Sequence, residues 1–212
     1  MKFFNPDGSA SFCGNGSRCA VLYCFHQGII QSNCSFITND GIHQGQVLEN
    51  ENIKISIKSP VLVEKLNNGD FEVNTGSPHY VQIANSIDNI DFQNHCKSIR
   101  NNEKYFQNGI NVNLVKVEDN FLDMRTYERG VEDETLSCGS GVTATALAIA
   151  YEKKIENSLF VKTRGGFIID VLIFWRTIRN YHCVLYYYII TKLNLYKNLI
   201  LKFTPYIHQH IK

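Results

Sequence analysis

One motif occurs twice in this chain and limits what it can fold into. Cys13-Gly14-Asn15-Gly16 leads into residues 17–25, which read as a helix with an apolar face closed by Gln27-Gly28. Cys138-Gly139-Ser140-Gly141 leads into an alanine-rich run, 142–153, that reads as a second helix. Lys153 and Lys154 then complement the dipole at its C-terminal end. A thiol-led helix at corresponding places in two parts of one chain implies a two-copy internal duplication rather than a solenoid. The predicted fold class is α+β: two similar halves, each a mixed or antiparallel sheet around a central helix, with a cleft between them.

The segments between the helices read as strands and turns. "CSFITND" and "IHQGQVL" flank Asn39-Asp40-Gly41 and predict a hairpin. Residues 53–57 alternate as a half-buried strand, ended by Pro60. "DFEVNTGSPHYVQIA" reads as strand, turn, strand, and "IDFQNHCKSIRNN" as a helix. "INVNLVKVED" and "NFLDMRTYE" predict a second hairpin across 118–120, and "SLFVKTRGG" a strand running into a turn. After Gly166 the text changes: it is dense in Ile, Tyr, Leu, Lys and Asn, and no helical or strand period persists. It reads either as a membrane-surface or partner-binding tail or as an aberrant, frameshifted C-terminus, and the second reading is preferred. The expected divisions are 1–66, a remnant of an N-terminal half; 67–166, a C-terminal half; and 167–212, an atypical tail, frameshifted or disordered.

A Cys-Gly-x-Gly helix start carries chemistry. The first N–H groups of a helix lack internal partners and carry the positive end of its dipole. Glycine lets a carboxylate approach them. A cysteine in that turn is predicted to have its pKa lowered. Two such thiols facing each other across a cleft suit inversion of a carbon α to a carboxylate: one takes the proton and the other returns one on the opposite face. The N–H groups would stabilise the charge that builds on the carboxylate. No lysine motif for pyridoxal phosphate is evident. A single such motif reads more readily as a turn plus a small apolar residue; the matched pair favours function. Cys19, Cys24, Cys34, Cys96 and Cys183 read as packing or incidental. Arg18 is either a solvated helix residue or part of the site, and His79 either structural or a group tuning the thiols. Glu132 and Asp133 read as solvated surface, whereas Glu128 and Arg129 suit an ammonium acceptor and a carboxylate fork.

Composition excludes several classes. The 212 residues carry a net charge of +1, with no basic footprint for nucleic acid. No stretch reaches the roughly 18 uncharged apolar residues of a membrane span. Seven cysteines, an odd number without CxxC spacing or a secretory leader, predict reduced cytoplasmic thiols and no metal site.

"NPDGS…CGNGSRC", "TGSPH", "NGINVN" and "YERGVEDETLSCGSG", from about Phe4 to Gly166, closely resemble diaminopimelate epimerases. The resemblance implies a cofactor-independent isomerase that interconverts LL- and meso-diaminopimelate in lysine and peptidoglycan precursor biosynthesis. It implies Cys13 and Cys138 as the proton-transfer pair. Gly14, Asn15, Gly139 and Ser140 would hold the reacting carboxylate. Asn5, Asn111, Glu128 and Arg129 would grip the distal end, and His79 and Glu128 would tune the thiols. Ser77 stands where many members have asparagine, as a further substrate contact. A homodimer is an admitted assembly, with a small molecule as the other partner. Members of the family also begin earlier, with a glycine-rich strand, and continue beyond "TRGG" with strands that complete the sheet; neither is legible here. The alternatives are a catalytically inactive fragment and a small amino-acid-binding protein on the same fold. A proline-racemase-like enzyme is weaker, because the Glu128-Arg129 loop resembles the epimerase version.

Overall fold

A computed structural model describes residues 1–4, 8, 10, 12–57, 61–155, 158–166, 168–178 and 181–192. Helix α1 (Gly14–His26) is followed by β1 (Asn33–Thr38), β2 (Gly41–Val47) and β3 (Asn52–Ser56). The β1–β2 hairpin turns at Asn39-Asp40 with Gly41 at φ 138°, as the turn residues predict. Strands β4 (Val61–Lys65), β5 (Phe71–Asn74) and β6 (Pro78–Ile83) lead to α2 (Phe92–Arg100), whose first turn is capped by the Asp91 carboxylate. Then come β7 (Asn111–Val117), β8 (Leu122–Glu128), the short β9 (Asp133–Thr135), α3 (Gly139–Lys153), β10 (Ser158–Lys162), β11 (Ile168–Ile178) and β12 (Tyr181–Lys192).

The strands form one sheet with the order β1-β2-β3-β12-β11-β10-β8-β7-β6-β5-β4. Pairing is antiparallel except for β6–β7 and β8–β10. The start of β12 also pairs with β4, Cys183 opposite Leu62, while its end pairs with β3, Tyr188 opposite Ser56. Strands β4 to β8 and β10 to β12 therefore close into a ring.

Helix α3 lies inside that ring and touches every strand of it. This explains its composition: a helix walled on all sides needs no polar face. Gly139 and every residue of 141–150 are buried, including Thr143 and Thr145. The many alanines let the strands close tightly around it, and Val142, Leu147 and Ile149 fill the remaining space. Each such aliphatic side chain contributes about 1.5–3 kcal/mol on burial, before the entropy of ordering it.

Helix α1 packs on β2 and β3. Its Val21 and Leu22 join Val47, Ile53 and Ile55 in the same core that surrounds α3, so one core runs through both halves. The approach requires Gly45: a Cβ there would lie 2.8 Å from Val21 Cγ2. A second core, on the other face of β6–β8, packs α2 through Phe92 and Cys96 against Tyr80, Val112, Leu114 and Tyr127. Strand β7 thus serves two cores. Val112 and Leu114 face α2, while Asn113 and Val115 alternate toward α3.

Two expectations about the chain after Gly166 are corrected. A strand period does hold there, since Ile169, Val171 and Ile173 are buried at alternate positions of β11. It is hidden in the sequence because Ile168, Leu172 and Phe174 are apolar too, which masks a period of two. Strands completing the sheet are also present: β11 and β12 close the ring around α3. Both lie within the stretch 167–212 read as an atypical tail; residues 193–212 fall outside those described.

Candidate active site

The two helix starts meet. A Cβ built on Gly139 would lie 3.7 Å from the Cα of Gly14, so the first residues of α1 and α3 approach without side chains between them. Cys13 and Cys138 are the N-cap residues of the two helices, each with extended backbone. Cys13 Sγ accepts from the Gly16 N–H at 3.3 Å. Cys138 Sγ lies 3.4 Å from the Ser140 hydroxyl. Asn15 ties the starts together, donating from Nδ2 to the Ser137 carbonyl at 3.4 Å and accepting from Arg18 at 2.5 Å.

Both thiols open onto one cleft of about 690 Å³. Gly14, Asn15, Ser77, Asn111, Glu128, Arg129, Gly139 and Ser140 also line it, so these candidate residues from two halves share a single space. Asn5 lies outside the described residues. His79 does not reach the cleft wall; it is fully buried behind Ser140, with Nε2 3.0 Å from Ser140 Oγ and 2.9 Å from Ser77 Oγ. Asn111 is engaged at both ends of its amide, donating to the Pro78 carbonyl at 2.9 Å and accepting from the Arg129 N–H at 2.9 Å. It therefore joins the first residue of β6 to the loop after β8. Arg129 donates from one guanidinium nitrogen to the Asn108 carbonyl at 2.9 Å.

The expectation of acidified thiols is not met. Burial pushes the Cys138 thiol up to about 12, with the Glu128 carboxylate adding to the rise; the Ser140 hydroxyl and the Gly141 N–H oppose it. Burial also raises Cys13, against the Gly16 N–H and the Arg18 charge. The helix-end field acts in the expected direction, but loss of water around a thiolate outweighs it. Burial likewise raises the Glu128 carboxyl. Burial and the nearby Arg129 charge push the His79 imidazole down to about 3, which leaves the ring neutral.

Sequence reasoning left Arg18 open between surface and site, and it missed other residues outright. Arg18 is not a solvated helix residue: it is 2% exposed, and its guanidinium lies 3.8 Å from where a Cβ of either Gly14 or Gly139 would be. The signal was its place one turn into a thiol-led helix, on the face that carries Gly14. Glu132 is exposed, as read, but it also lies at the edge of the cleft and pairs with Arg100 at 3.3 Å. Gln107 and Asn108 line it from the loop after α2, where nothing in the spacing marks them. Asn113, a polar residue in an alternating strand, is fully buried against α3.

The architecture, a sheet closed around α3 with two helix starts converging on one cleft, defines a class by its fold. The chain superposes on a probable proline racemase from Agrobacterium radiobacter with a TM-score of 0.64 at 11% identity, covering 88% of this chain and 67% of that one. It superposes on a hydroxyproline epimerase from Agrobacterium vitis with a TM-score of 0.65 at 13% identity, covering 88% and 65%. At such identities the likeness establishes the fold alone.

Sequence likeness narrows the class. The family model for diaminopimelate epimerase matches residues 71–173. The diaminopimelate epimerase of Flavobacterium psychrophilum is 43% identical over 171 residues, 78% of this chain and 66% of that protein. That of Chlorobaculum tepidum is 35% identical over 175 residues, 78% of this chain and 68% of that protein. The chain belongs to the diaminopimelate epimerase family, and it spans about two thirds of the length of the curated relatives it matches.

Proposed function

We propose that this chain is a cofactor-independent isomerase that interconverts LL- and meso-diaminopimelate. The observation that carries the reading is the convergence of the thiols of two N-cap cysteines, from two halves of the chain, on one cleft. In each direction one sulfur, as thiolate, takes the proton from carbon α. The electron pair of the broken C–H bond passes toward the carboxylate. The N–H groups that start α1 and α3 hold the resulting charge, with Arg18 behind them. The other sulfur, as thiol, delivers its proton to the opposite face. The centre is inverted, and the pair ends with thiol and thiolate exchanged. Gly14, Asn15, Gly139 and Ser140 surround the reacting carboxylate; Glu128, Arg129 and Asn111, with Ser77 beside them, hold the distal amino acid group. Asn5 is assigned to the same end on the family resemblance.

Each thiolate is costly in a buried cleft, so the arrangement favours at most one charge shared by the pair. The ammonium of a bound substrate would offset that charge. His79 and Glu128 act on the thiols, the first through Ser140 and the second through its charge. We place the reaction in the cytoplasm, in the supply of lysine and peptidoglycan precursors, where free cysteines stay reduced. A homodimer is the assembly to test by sedimentation. The three divisions 1–66, 67–166 and 167–212 serve as working boundaries, with α1 and α3 as the centres of the first two.

The test is α-hydrogen exchange in deuterium oxide with diaminopimelate as substrate. The intact chain is expected to exchange, and Cys13→Ala and Cys138→Ala are each expected to abolish turnover. An intact chain that binds diaminopimelate without exchanging its α-hydrogen would be a binding protein. One that neither binds nor unfolds cooperatively would be an inactive remnant.

A further inference from the structure

The hydrogen bonds behind Cys138 have a direction, and one residue sets it. Asn113 is fully buried on β7. Its amide orientation is fixed by its neighbours: Nδ2 faces the Tyr80 carbonyl at 3.0 Å, which only accepts, and Oδ1 accepts from the Thr126 hydroxyl at 3.0 Å. The second N–H of that amide points at His79 Nδ1, 3.1 Å away. Nδ1 must therefore accept, and a neutral ring then carries its proton on Nε2. The Nε2–H group lies between Ser77 Oγ and Ser140 Oγ. Ser140 Oγ also accepts from the Ser77 hydroxyl at 3.2 Å. With both lone pairs of Ser140 taken, its own proton has Cys138 Sγ as the acceptor in reach, at 3.4 Å.

We propose that Asn113 is a positioning residue which, by holding His79 as the Nε2–H tautomer, keeps the Ser140 hydroxyl donating to the Cys138 sulfur. The proposal rests on the reading of Cys138 as a proton-transfer group. With the proton on Nδ1 instead, Nε2 would become an acceptor and draw a hydroxyl proton from Ser77 or Ser140. The chain of donors would then end at the histidine, and a thiolate at Cys138 would lose its hydroxyl partner. At position 113 leucine lacks the donor, and aspartate would pull the proton onto Nδ1 while facing the Tyr80 carbonyl with a second acceptor.

The experiment is ¹⁵N NMR of the intact chain labelled at histidine, with the His79 signals identified by their loss in His79→Gln. The expected spectrum has a protonated Nε2 and a bare Nδ1. In Asn113→Asp the proton is expected on Nδ1. The kcat for α-deuterium exchange should fall about 10- to 100-fold, the worth of a hydrogen bond to a charged group, with KM nearly unchanged. A protonated Nδ1 in the unmodified chain overturns the proposal without any variant, so a poorly folding Asn113→Asp does not shield it. So does an Asn113→Asp protein that shifts the tautomer and keeps its kcat. An unmodified chain that exchanges no α-hydrogen overturns the epimerase reading itself, and this role for Asn113 falls with it whatever the tautomer.

Discussion

The two Cys-Gly-x-Gly motifs look interchangeable in sequence, yet their last glycines should respond in opposite ways to alanine. At Gly141 a Cβ would lie 2.6 Å from Asn113 Oδ1 and 3.4 Å from Cys138 Sγ. Asn113 cannot swing away, since Thr126, Tyr80 and His79 hold both ends of its amide. Either α3 shifts by several tenths of an ångström inside a closed ring, or the amide gives up bonds where no water replaces them. Overpacking of this kind costs about 1–3 kcal/mol, and each buried polar atom left unpaired about 1–3 more. Helix propensity returns only about 1 kcal/mol. Gly141→Ala should therefore destabilise by about 1–5 kcal/mol. At Gly16 the same Cβ would meet Cys13 Sγ at 3.4 Å and Phe3 at 3.7 Å, ordinary contacts, so Gly16→Ala should be neutral or stabilising by up to about 1 kcal/mol. Urea unfolding reads the contrast directly: a 2 kcal/mol loss moves the midpoint by roughly 1 M. Equal midpoints for the two variants would refute the claim that Asn113 is rigidly seated against the start of α3.

Leu147→Ala, at the centre of the ring, should cost about 2–5 kcal/mol in the same assay, because the strands around α3 cannot collapse into the space. Stability should decline on both sides of neutrality. His79 is held neutral to about pH 3 in the fold but protonates near 6.5 when unfolded, so its contribution is lost as pH falls from 6.5 toward 3. Cys138 stays protonated to about 12 in the fold but ionises near 9 when unfolded, so its contribution is lost as pH rises from 9 toward 12. Each has a limiting slope of about 1.4 kcal/mol per pH unit. His79→Gln should flatten the acid limb and Cys138→Ala the alkaline limb; a variant with an unaltered limb would contradict the assignment. Glu128→Gln removes a charge that raises both thiols, so the apparent thiol pKa, followed by thiolate absorbance, should fall.

The parts of the fold legible in sequence were those with local punctuation. Asn39-Asp40-Gly41 marks its hairpin, and the glycines after each thiol mark the starts of α1 and α3. Strands β11 and β12 lacked such marks, because apolar residues on both faces hide alternation until the partners in the ring are known. The candidate cleft was legible where the motif itself supplies the wall. It was not legible at Gln107, Asn108 or Arg100, which the loop after α2 and the end of that helix bring in from a distance in sequence. Asn113 shows the limit most clearly. A lone asparagine in an alternating strand reads as a solvated face, and only closure of the ring around α3 turns that face inward. The thiols illustrate the same division: the sequence reveals the helix end beside each sulfur, but the depth of burial, which decides the sign of the shift, belongs to the tertiary structure.

Burial raises both sulfurs, but their surroundings differ, and the difference decides which one carries a charge first. Cys13 is only partly buried, with the Gly16 N–H and the Arg18 guanidinium opposing the loss of water. Cys138 is buried, has the neutral Ser140 hydroxyl and the Gly141 N–H in its favour, and faces the Glu128 charge and the Cys13 sulfur against it. A charge on Cys13 would raise Cys138 further, so the pair titrates as a unit, and the first thiolate is expected to rest mainly on Cys13. On the proposed reading, that is the state the pair needs before substrate arrives: one sulfur ready to accept a proton and the other still holding one. Iodoacetamide, which reacts with thiolates, should modify Cys13 well before Cys138 at mildly alkaline pH, read by mass spectrometry of the peptides carrying each residue. Arg18→Met should slow labelling at Cys13. Labelling of Cys138 first, or of both at one rate, would mean that the buried guanidinium does not set the order.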